Sequence, residues 1–460
     1  MVTATTTPQV TASRRASTVA SQDLDGHADR PRWLRVLPWT ILLVMAFFAY
    51  AGSFSTFPII EEKHSVLADA DAANFVLLVR EFDLGKRFGD EYRNSERTPG
   101  DVAQKHKIHH VLYAIIGSGV YTVLRPAYAA VGLPPERAVY GVNAIIGCLN
   151  LVVLALLLRR LNPNGNAIWP FLLLYAFSLN VWIYSAIPES WPFTSLLVMT
   201  FLLAVMRLRP VAAGALLGVF LLNNIFLSVL FVILAVEAAR RSKSLIEWVR
   251  SCCLTGAVMA GTWFFGLLAL SAFDPSLSPI NFIRFTFWFR EYASPGNLPL
   301  YDPYVILSVL TNTFVTAVVS NQPDLFIPQE SMLYTLQGGW LGRIATLSWI
   351  GLVCVAFVPV VLRIVRARRE GIAAMVREDP SWNLVILCAT WAALTWVVFY
   401  ASGFLYSMAI VPLFAALLCR HLDFRRRTHL LLCLATVLIV IANNVDQVMQ
   451  FRAALGAVKL

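Results

Sequence analysis

Two aspartates in a short polar stretch are of the residue type that acid–base chemistry needs. Asp69 and Asp71 follow the first long apolar stretch and lead into the segment from Phe75 to Phe82, whose apolar residues recur at helical spacing. This spacing predicts a helix that lies on a membrane with one apolar face down, with Asp69 as its N-cap and Asp71 in its first turn. The helix dipole favours an ionised Asp71, which can take a proton from a hydroxyl group. The alternative is that both aspartates only start the helix.

Cations and imidazoles gather where the second apolar stretch begins. Lys105, His109 and His110 lie there, and such groups can stabilise a phosphate leaving group. Imidazoles can also hold a divalent ion, but neighbouring side chains on a helix point about 100° apart. We therefore predict no obligatory histidine metal site and leave a divalent metal open. The alternative is a cluster that anchors the end of the helix at the lipid headgroups.

Single charged residues beside apolar sequence are further candidates for functional residues. Glu189 is the one acid in the otherwise uncharged stretch 167–206, and ionisable groups at membrane depth are costly enough to indicate function. The alternative for Glu189 is a surface turn after Pro188. Arg284 and Arg290 border a second long polar stretch and could bind a lipid phosphate, although anchoring at the interface explains them too.

The composition places these residues in a membrane protein. Of 460 residues, 58% are hydrophobic and 14% are charged, where a soluble domain has about 45–50% apolar and about 25% charged residues. Uncharged apolar stretches recur along the chain and reach the length of about 20 residues that a helix needs to cross a bilayer. Only helices satisfy their own backbone in such stretches. The seven cysteines lie in or beside them, without metal-ligand spacing.

The net charge of +10 comes largely from short clusters of arginine between apolar segments. Examples are Arg240 with Arg241, and the run 425–427. These clusters follow the positive-inside rule and lack the basic and aromatic interleaving of nucleic-acid-binding modules, so nucleic acid is not expected as a partner. The chain has no Walker-type loop, dinucleotide fingerprint or serine nucleophile elbow, which excludes ATP-driven transport and common soluble chemistries.

The sequence predicts an all-α fold, a polytopic transmembrane helical bundle of about 11–13 helices with extracytoplasmic loops and juxtamembrane helices. Ile168 to Ile187 and Cys252 to Ala272 are each predicted as one span. Four parts are expected: a disordered cytoplasmic tail over residues 1–32, a transmembrane core over 33–272 with a catalytic first extracytoplasmic loop over 61–107, an extracytoplasmic loop over 273–343 with interfacial helices and one doubtful span, and C-terminal transmembrane helices over 344–460.

The arginines decide the expected orientation in the middle of the chain. Simple alternation of spans puts the pair 159–160 outside, against the positive-inside trend. If His109 to Val131 instead breaks into two short helices that enter and leave on one side, this pair becomes cytoplasmic. A second break within Val211 to Val236, at Asn223 and Asn224, then keeps the next arginines inside as well. We therefore predict both breaks.

Together, the candidate residues form an ordered series of weak motifs. The order resembles the GT-C superfamily of integral-membrane glycosyltransferases, which includes protein mannosyltransferases and the lipid A aminoarabinose transferases. This chain departs from the family's motifs at two places. Asn223 and Asn224 stand where the family often has Lys or Arg with Pro or Gly. Leu405 stands where the family often has Arg. The motifs are Asp71 with Phe75 four residues later, the histidine pair His109 and His110, the small-residue segment Asn143 to Gly147, the acidic turn Pro188 to Ser190, the run Gly214 to Asn224, and Tyr406 followed by Pro412.

This resemblance implies an inverting transfer of a sugar from a polyprenyl-phosphate donor to a glycan, lipid or protein acceptor. The reaction would take place on the extracytoplasmic face of a multi-pass protein of the plasma or inner membrane, among membrane lipids. Asp71 would be the general base, with Asp69 and Glu189 orienting the acceptor or a metal. Lys105 with His109 or an arginine would face the donor phosphate, and Tyr406 would join the substrate site.

Two other functions fit parts of the same pattern. A secondary transporter or lipid flippase would also have many spans and broken helices, but it predicts internal repeats and polar groups near the middle of the membrane. A polysaccharide polymerase or ligase shares the lipid-linked donor, but it would concentrate arginines in a large late loop. The acids of this chain gather at one set of loop ends instead, which favours the glycosyltransferase.

Overall fold

In the computed structural model, the described residues are 32–54, 72–82, 107–284, 307, 310–319, 339–370, 379, 381–398 and 407–457. The regular elements in these ranges are all helices. Residues 1–45 and 46–460 form two compact units. The described part of the first unit is the beginning of one helix, with Leu37, Ile41 and Met45 exposed.

Fourteen α-helices lie in the described residues, together with short 3-10 turns and one π-helix, Asn312–Thr316. The α-helices are α1 (Arg32–Phe54), α2 (Ala72–Arg80), α3 (Val111–Ala130), α4 (Ala138–Leu161), α5 (Trp169–Ala176), α6 (Leu179–Ala186), α7 (Trp191–Val205), α8 (Pro210–Phe220), α9 (Phe231–Arg241), α10 (Leu245–Ser271), α11 (Trp340–Glu370), α12 (Trp382–Val398), α13 (Val411–His421) and α14 (Arg427–Ala457).

Four continuous segments are long and apolar enough to cross a membrane. They are Pro135–Leu161, Leu245–Ser271, Trp340–Arg366 and Arg427–Gln450, and the bent pair α5 and α6 provides a fifth. Shorter apolar helices, such as Trp191–Val205 and Trp382–Thr395, lie between them. The all-helical membrane protein class predicted from the sequence is thereby confirmed.

Two predicted boundaries need correction, each for a local reason. Helix α10 begins at Leu245, seven residues before the predicted Cys252, because the Ser244 hydroxyl accepts the Glu247 N–H in a capping arrangement. The predicted span Ile168 to Ile187 is broken into α5 and α6, which bend by 57°. The Phe177 carbonyl exposed by the break accepts a hydrogen bond of 2.7 Å from Asn444 Nδ2, so α14 satisfies the backbone there.

A segment of the second predicted loop fills the same break. The Leu179 and Asn180 N–H groups donate to the carbonyls of Val318 and Ala317, at 3.2 and 3.0 Å. These bonds replace the intrahelical partners that the break removes. The predicted doubtful span Pro303 to Ser320 is therefore, in its described end, a short π-helix and turn seated against α6.

The predicted break within Val211 to Val236 is present at the expected place. Helix α8 ends at Phe220 and a 3-10 helix begins at Ile225, where the Asn224 side chain accepts the Phe226 N–H. Helix α8 runs close to α10, since a Cβ at Gly214 would lie 2.9 Å from the Thr255 carbonyl oxygen. A Cβ at Gly218 would overlap the carbonyl oxygen of Met259. The glycines thus permit this close contact.

The predicted break in His109 to Val131 is wrong, because α3 is one continuous helix over residues 111–130. If α3 and α4 formed an antiparallel hairpin, Asn143 would lie opposite a residue equally far from the connecting turn, near residue 125. Instead the Tyr113 hydroxyl bonds to Asn143, while Tyr128 contacts Gly141. Both ends of α3 therefore reach the first turns of α4, and α3 crosses that end of α4 rather than running along it.

Candidate functional site

Asn143 is the centre of a buried polar cluster near the start of α4. Its side chain is fully buried, and its Nδ2 donates to the backbone carbonyls of Tyr184, Ile187 and Glu189 at 3.1, 2.6 and 2.8 Å. These carbonyls belong to the end of α6 and the turn that follows it. A helix end in apolar surroundings needs such partners, so Asn143 fixes the path of the chain into Glu189.

Glu189 lies in this turn, 2% exposed, directly before the N-terminus of α7. Its Oε1 accepts the Ser190 N–H at 2.8 Å and lies 3.3 Å from the Ser190 hydroxyl. The N-terminal end of the α7 dipole also favours a negative charge at this position. The surface turn considered from the sequence is wrong, because Glu189 is buried and hydrogen bonded.

Tyr113 connects this turn to the helix that follows Asp71. Its hydroxyl donates to Asn143 Oδ1 at 2.8 Å, and its ring packs edge-on against Phe75 of α2. Its backbone N–H donates to Asn223 Oδ1 at 3.0 Å, which caps the N-terminus of α3 from the break after α8. Tyr113 thus contacts α2, α4 and the α8 break at one point.

The apolar face of helix α2, which the sequence predicted to lie on lipid, packs on protein. Phe75, Val76, Leu78 and Val79 are buried. The ring centroid of Phe75 lies 5.4 Å from those of His110 and Tyr113. The apolar face of α2 is therefore covered by α3. Side chains of α3 remove this face from water, as lipid would, and they pack against it closely.

An ion pair lies where α3 begins. Lys107 is fully buried, and its Nζ is 2.6 Å from Asp274 Oδ2, in the turn after α10. Asp274 Oδ1 accepts the N–H and hydroxyl of Ser276. Two residues after Lys107, the His109 ring packs on Phe282, with centroids 5.3 Å apart. Lys107 and Asp274, with Tyr113, Asn143, Glu189 and Asn223, form what we call the glutamate end.

The predicted site residues are distributed unevenly over the described chain. Glu189, His109 and His110 lie in the glutamate end, and Arg284 is exposed on the helical turn that also carries Phe282. The ring centroids of His109 and His110 are 6.4 Å apart. Asp69, Asp71, Lys105, Arg290 and Tyr406 lie outside the described residues.

Sequence reasoning did not assign Tyr113, Asn143, Lys107 or Asp274 to the site. An amide within an otherwise apolar helix was a usable signal for Asn143, because polar groups in spans are costly unless they bond. For Lys107 no sequence signal was available, because its partner Asp274 is 167 positions away.

The arginines meet at the other end of α4. Asp379 Oδ2 accepts from Arg363 at 3.0 Å and from Arg420 at 3.2 Å, and its carbonyl accepts from Arg240. Arg240 also pairs with Glu237. We call these residues the arginine end. Asn166, just beyond α4, bonds to the Leu422 carbonyl two residues after Arg420, which puts the two ends about 27 Å apart along α4.

Among the described residues, Asp379 is the acid whose carboxylate accepts hydrogen bonds from both Arg363 and Arg420, and it is partly buried. Burial raises the pKa of its carboxyl. Hydrogen bonds from Ser381 and the charge of Arg420 together lower the pKa by more than burial raises it, so the pKa lies below its ordinary value. Asp379 is therefore ionised at neutral pH and balances the arginines.

Among the described residues, no group of three or more His, Cys, Asp and Glu side chains is placed to hold a metal ion. Comparisons of the chain with protein-family models, curated proteins and solved structures gave no match. The described residues thus form an all-helical protein with four or five segments long and apolar enough to cross a membrane and a buried polar cluster near the start of α4.

Proposed function

We propose that this protein is a membrane glycosyltransferase of the GT-C type, which transfers a sugar from a polyprenyl-phosphate donor to an acceptor hydroxyl at the glutamate end. One observation carries the proposal. Helix α2, which begins directly after Asp71 in the sequence, packs through Phe75 onto Tyr113, and Tyr113 bonds to the asparagine that fixes the Glu189 turn. The helix that follows the Asp71 motif and the turn that carries Glu189 are thus connected at one end of the bundle.

The arginines support the orientation that this reaction needs. Arg240, Arg363 and Arg420 gather at the end of α4 opposite to Glu189. The positive-inside rule assigns such an end to the cytoplasm, which leaves the glutamate end on the extracytoplasmic face of a plasma or inner membrane. Helices α3 and α2 then form the juxtamembrane layer. The expected bundle of 11–13 helices includes the shorter apolar helices as spans.

In the proposed reaction Asp71 is the general base. The acceptor oxygen attacks the anomeric carbon, its proton passes to the Asp71 carboxylate, and the bond to the phosphate breaks with inversion. A phosphate leaves without a general acid, unlike the leaving group of the two-carboxylate glycosidases. Glu189 orients the acceptor by accepting a hydrogen bond, and Asp69 assists beside Asp71. Lys105, His109, His110, Arg284, Arg290 and Tyr406 are the candidates to bind the donor, with a divalent ion left open.

The proposal is tested in proteoliposomes with radiolabelled polyprenyl-phosphate sugars and hydroxyl acceptors: glycan, lipid and peptide. Asp71→Asn is expected to lower transfer by a factor of about 10² or more, since it removes the base. Asp90→Asn, in the same predicted loop but without an assigned role, is the matched control and should keep most of the activity. Equal transfer by wild type and Asp71→Asn would rule out the assigned base.

A secondary transporter or lipid flippase is the second candidate, and the broken helices favour it. The 57° bend between α5 and α6 and the break at Asn223 and Asn224 are of a kind common in transporters. The same vesicles distinguish the two functions. Movement of labelled lipid or sugar across the bilayer without transfer to any acceptor would establish transport in place of glycosyl transfer.

A further inference from the structure

The buried ion pair between Lys107 and Asp274 joins two distant parts of the chain. Lys107 is the last residue of the predicted loop 61–107, and Asp274 is the second residue of the predicted loop 273–343. Their contact of 2.6 Å therefore links the two segments that flank the proposed active site. Neither residue belongs to the donor or acceptor groups assigned above.

The surroundings of the pair are apolar. Ile108 and Val111 on one side pack with Leu267, Leu277 and Phe282 on the other. A charge pair in such surroundings loses much of its hydration, and an apolar pair of the same size would hold the two segments together at least as well. What a charge pair adds is discrimination between arrangements, because an arrangement that separates Nζ from the carboxylate leaves buried charges apart.

The alignment of the two segments at this pair affects the position of the neighbouring residues at the start of α3. Lys107 begins the helical turn that continues into α3, where His110 contacts Phe75 and Tyr113 bonds to Asn143. Asp274 caps the turn Pro275–Leu277, and the chain then reaches Phe282, which contacts His109. A change in alignment at the pair would therefore move the start of α3 relative to the second segment.

We infer that Lys107 and Asp274 are positioning residues, which align the start of α3 with the second segment so that both face one active site. The inference rests on the proposed glycosyl transfer for its effect on activity. It does not need that function for its effect on structure.

The experiment compares Asp274→Asn with the double variant Lys107→Met and Asp274→Asn. The single change keeps a side-chain oxygen for Ser276 but removes the Asp274 charge from the buried Lys107 ammonium, so both melting temperature and transfer should fall. The double variant removes both charges, so it should recover the melting temperature. Its turnover should stay roughly tenfold or more below wild type, because small misplacements are costly in catalysis. Arg363→Gln at the arginine end is the matched control and should keep wild-type turnover.

If the double variant recovers both melting temperature and transfer, the pair is merely structural and the inference is overturned. An Asp274→Asn variant with unchanged melting temperature and unchanged transfer would also overturn it. Amide hydrogen exchange gives a readout that does not depend on activity. Exchange over residues 107–113, including the Tyr113 N–H, should be faster in both variants. If the wild type transfers nothing, the proposed function fails, and unchanged exchange in the double variant would overturn the positioning role separately.

Discussion

The two ends of this bundle handle charge in opposite ways. At the glutamate end Lys107 is paired with Asp274, and their side-chain exposures are 0% and 6%. At the arginine end a single aspartate serves several arginines, and the Arg363 side chain is 50% exposed. Water screens the second arrangement and not the first. An ion pair should therefore be strong at Lys107 and weak and replaceable at Arg363. The pair of Arg240 and Glu237, 9% and 14% exposed, is the buried exception at the arginine end.

Lys107→Met should produce the largest loss of stability. It leaves Asp274 buried next to an apolar side chain, and breaking a buried pair on one side costs about 3–5 kcal/mol. Thermal or denaturant unfolding in detergent measures the change. A loss below about 1 kcal/mol, the range of exposed pairs, would remove the contrast between the two ends.

Asn143→Leu should have the next largest effect. The change keeps the volume but leaves the Tyr113 hydroxyl and the carbonyls of Ile187 and Glu189 without this partner. Unmet buried polar groups predict a loss of about 2–4 kcal/mol. Asn150→Leu, on the same helix, is the matched control, because Asn150 Nδ2 donates to the Pro192 carbonyl alone in the described structure. Equal losses in the two variants would contradict a special role for Asn143.

Asn143→Leu also tests the proposed function, because it releases the turn that carries Glu189. Transfer should fall by a factor of about ten or more beyond any loss of folded protein. The comparison is made at matched amounts of folded enzyme in vesicles. Wild-type turnover in this variant would show that the Glu189 turn does not take part in the reaction.

These contrasts show where sequence reasoning succeeds. The helical class follows from the apolar stretches, and the break at Asn223 and Asn224 could be predicted because two adjacent amides are costly inside a span. The 57° bend between α5 and α6 was missed, because it depends on Asn444 and on the carbonyls of 317–318, both far away in the chain. Local patterns do not contain such partners.

The site shows the same limit. Lys105 and Lys107 flank one residue and look equivalent in the sequence. Only the packing of the turn on Phe282 and Asp274 places Lys107 inside. The positive-inside rule likewise indicated which arginines share a side, but it could not distinguish a broken α3 from a continuous α3 that crosses the end of α4.

Asp379→Asn should cost less than the changes at the glutamate end, about 1 kcal/mol near neutral pH, because the Arg363 and Arg420 side chains are 50% and 23% exposed. The sign of its pH dependence follows from its lowered pKa. The ionised carboxylate stabilises the fold above the ordinary pKa of 3.8, and this contribution is lost as the pH falls through the still lower value of the folded state. The difference in melting temperature between wild type and variant should therefore shrink below pH 3.8. A difference that grows on acidification would contradict this assignment.

Arg363→Gln should have the smallest effect, below about 1 kcal/mol. Arg420 still faces the Asp379 carboxylate, with Nη2 3.2 Å from both oxygens, so no charge is left alone. The exposed half of the Arg363 side chain also screens what the pair contributes, so raising the salt concentration should reduce the small difference further. Melting curves at low and high salt measure this for Arg363→Gln and for Lys107→Met. The Lys107 loss should be nearly independent of salt, and a similar salt response in both variants would mean that water reaches the glutamate end as well.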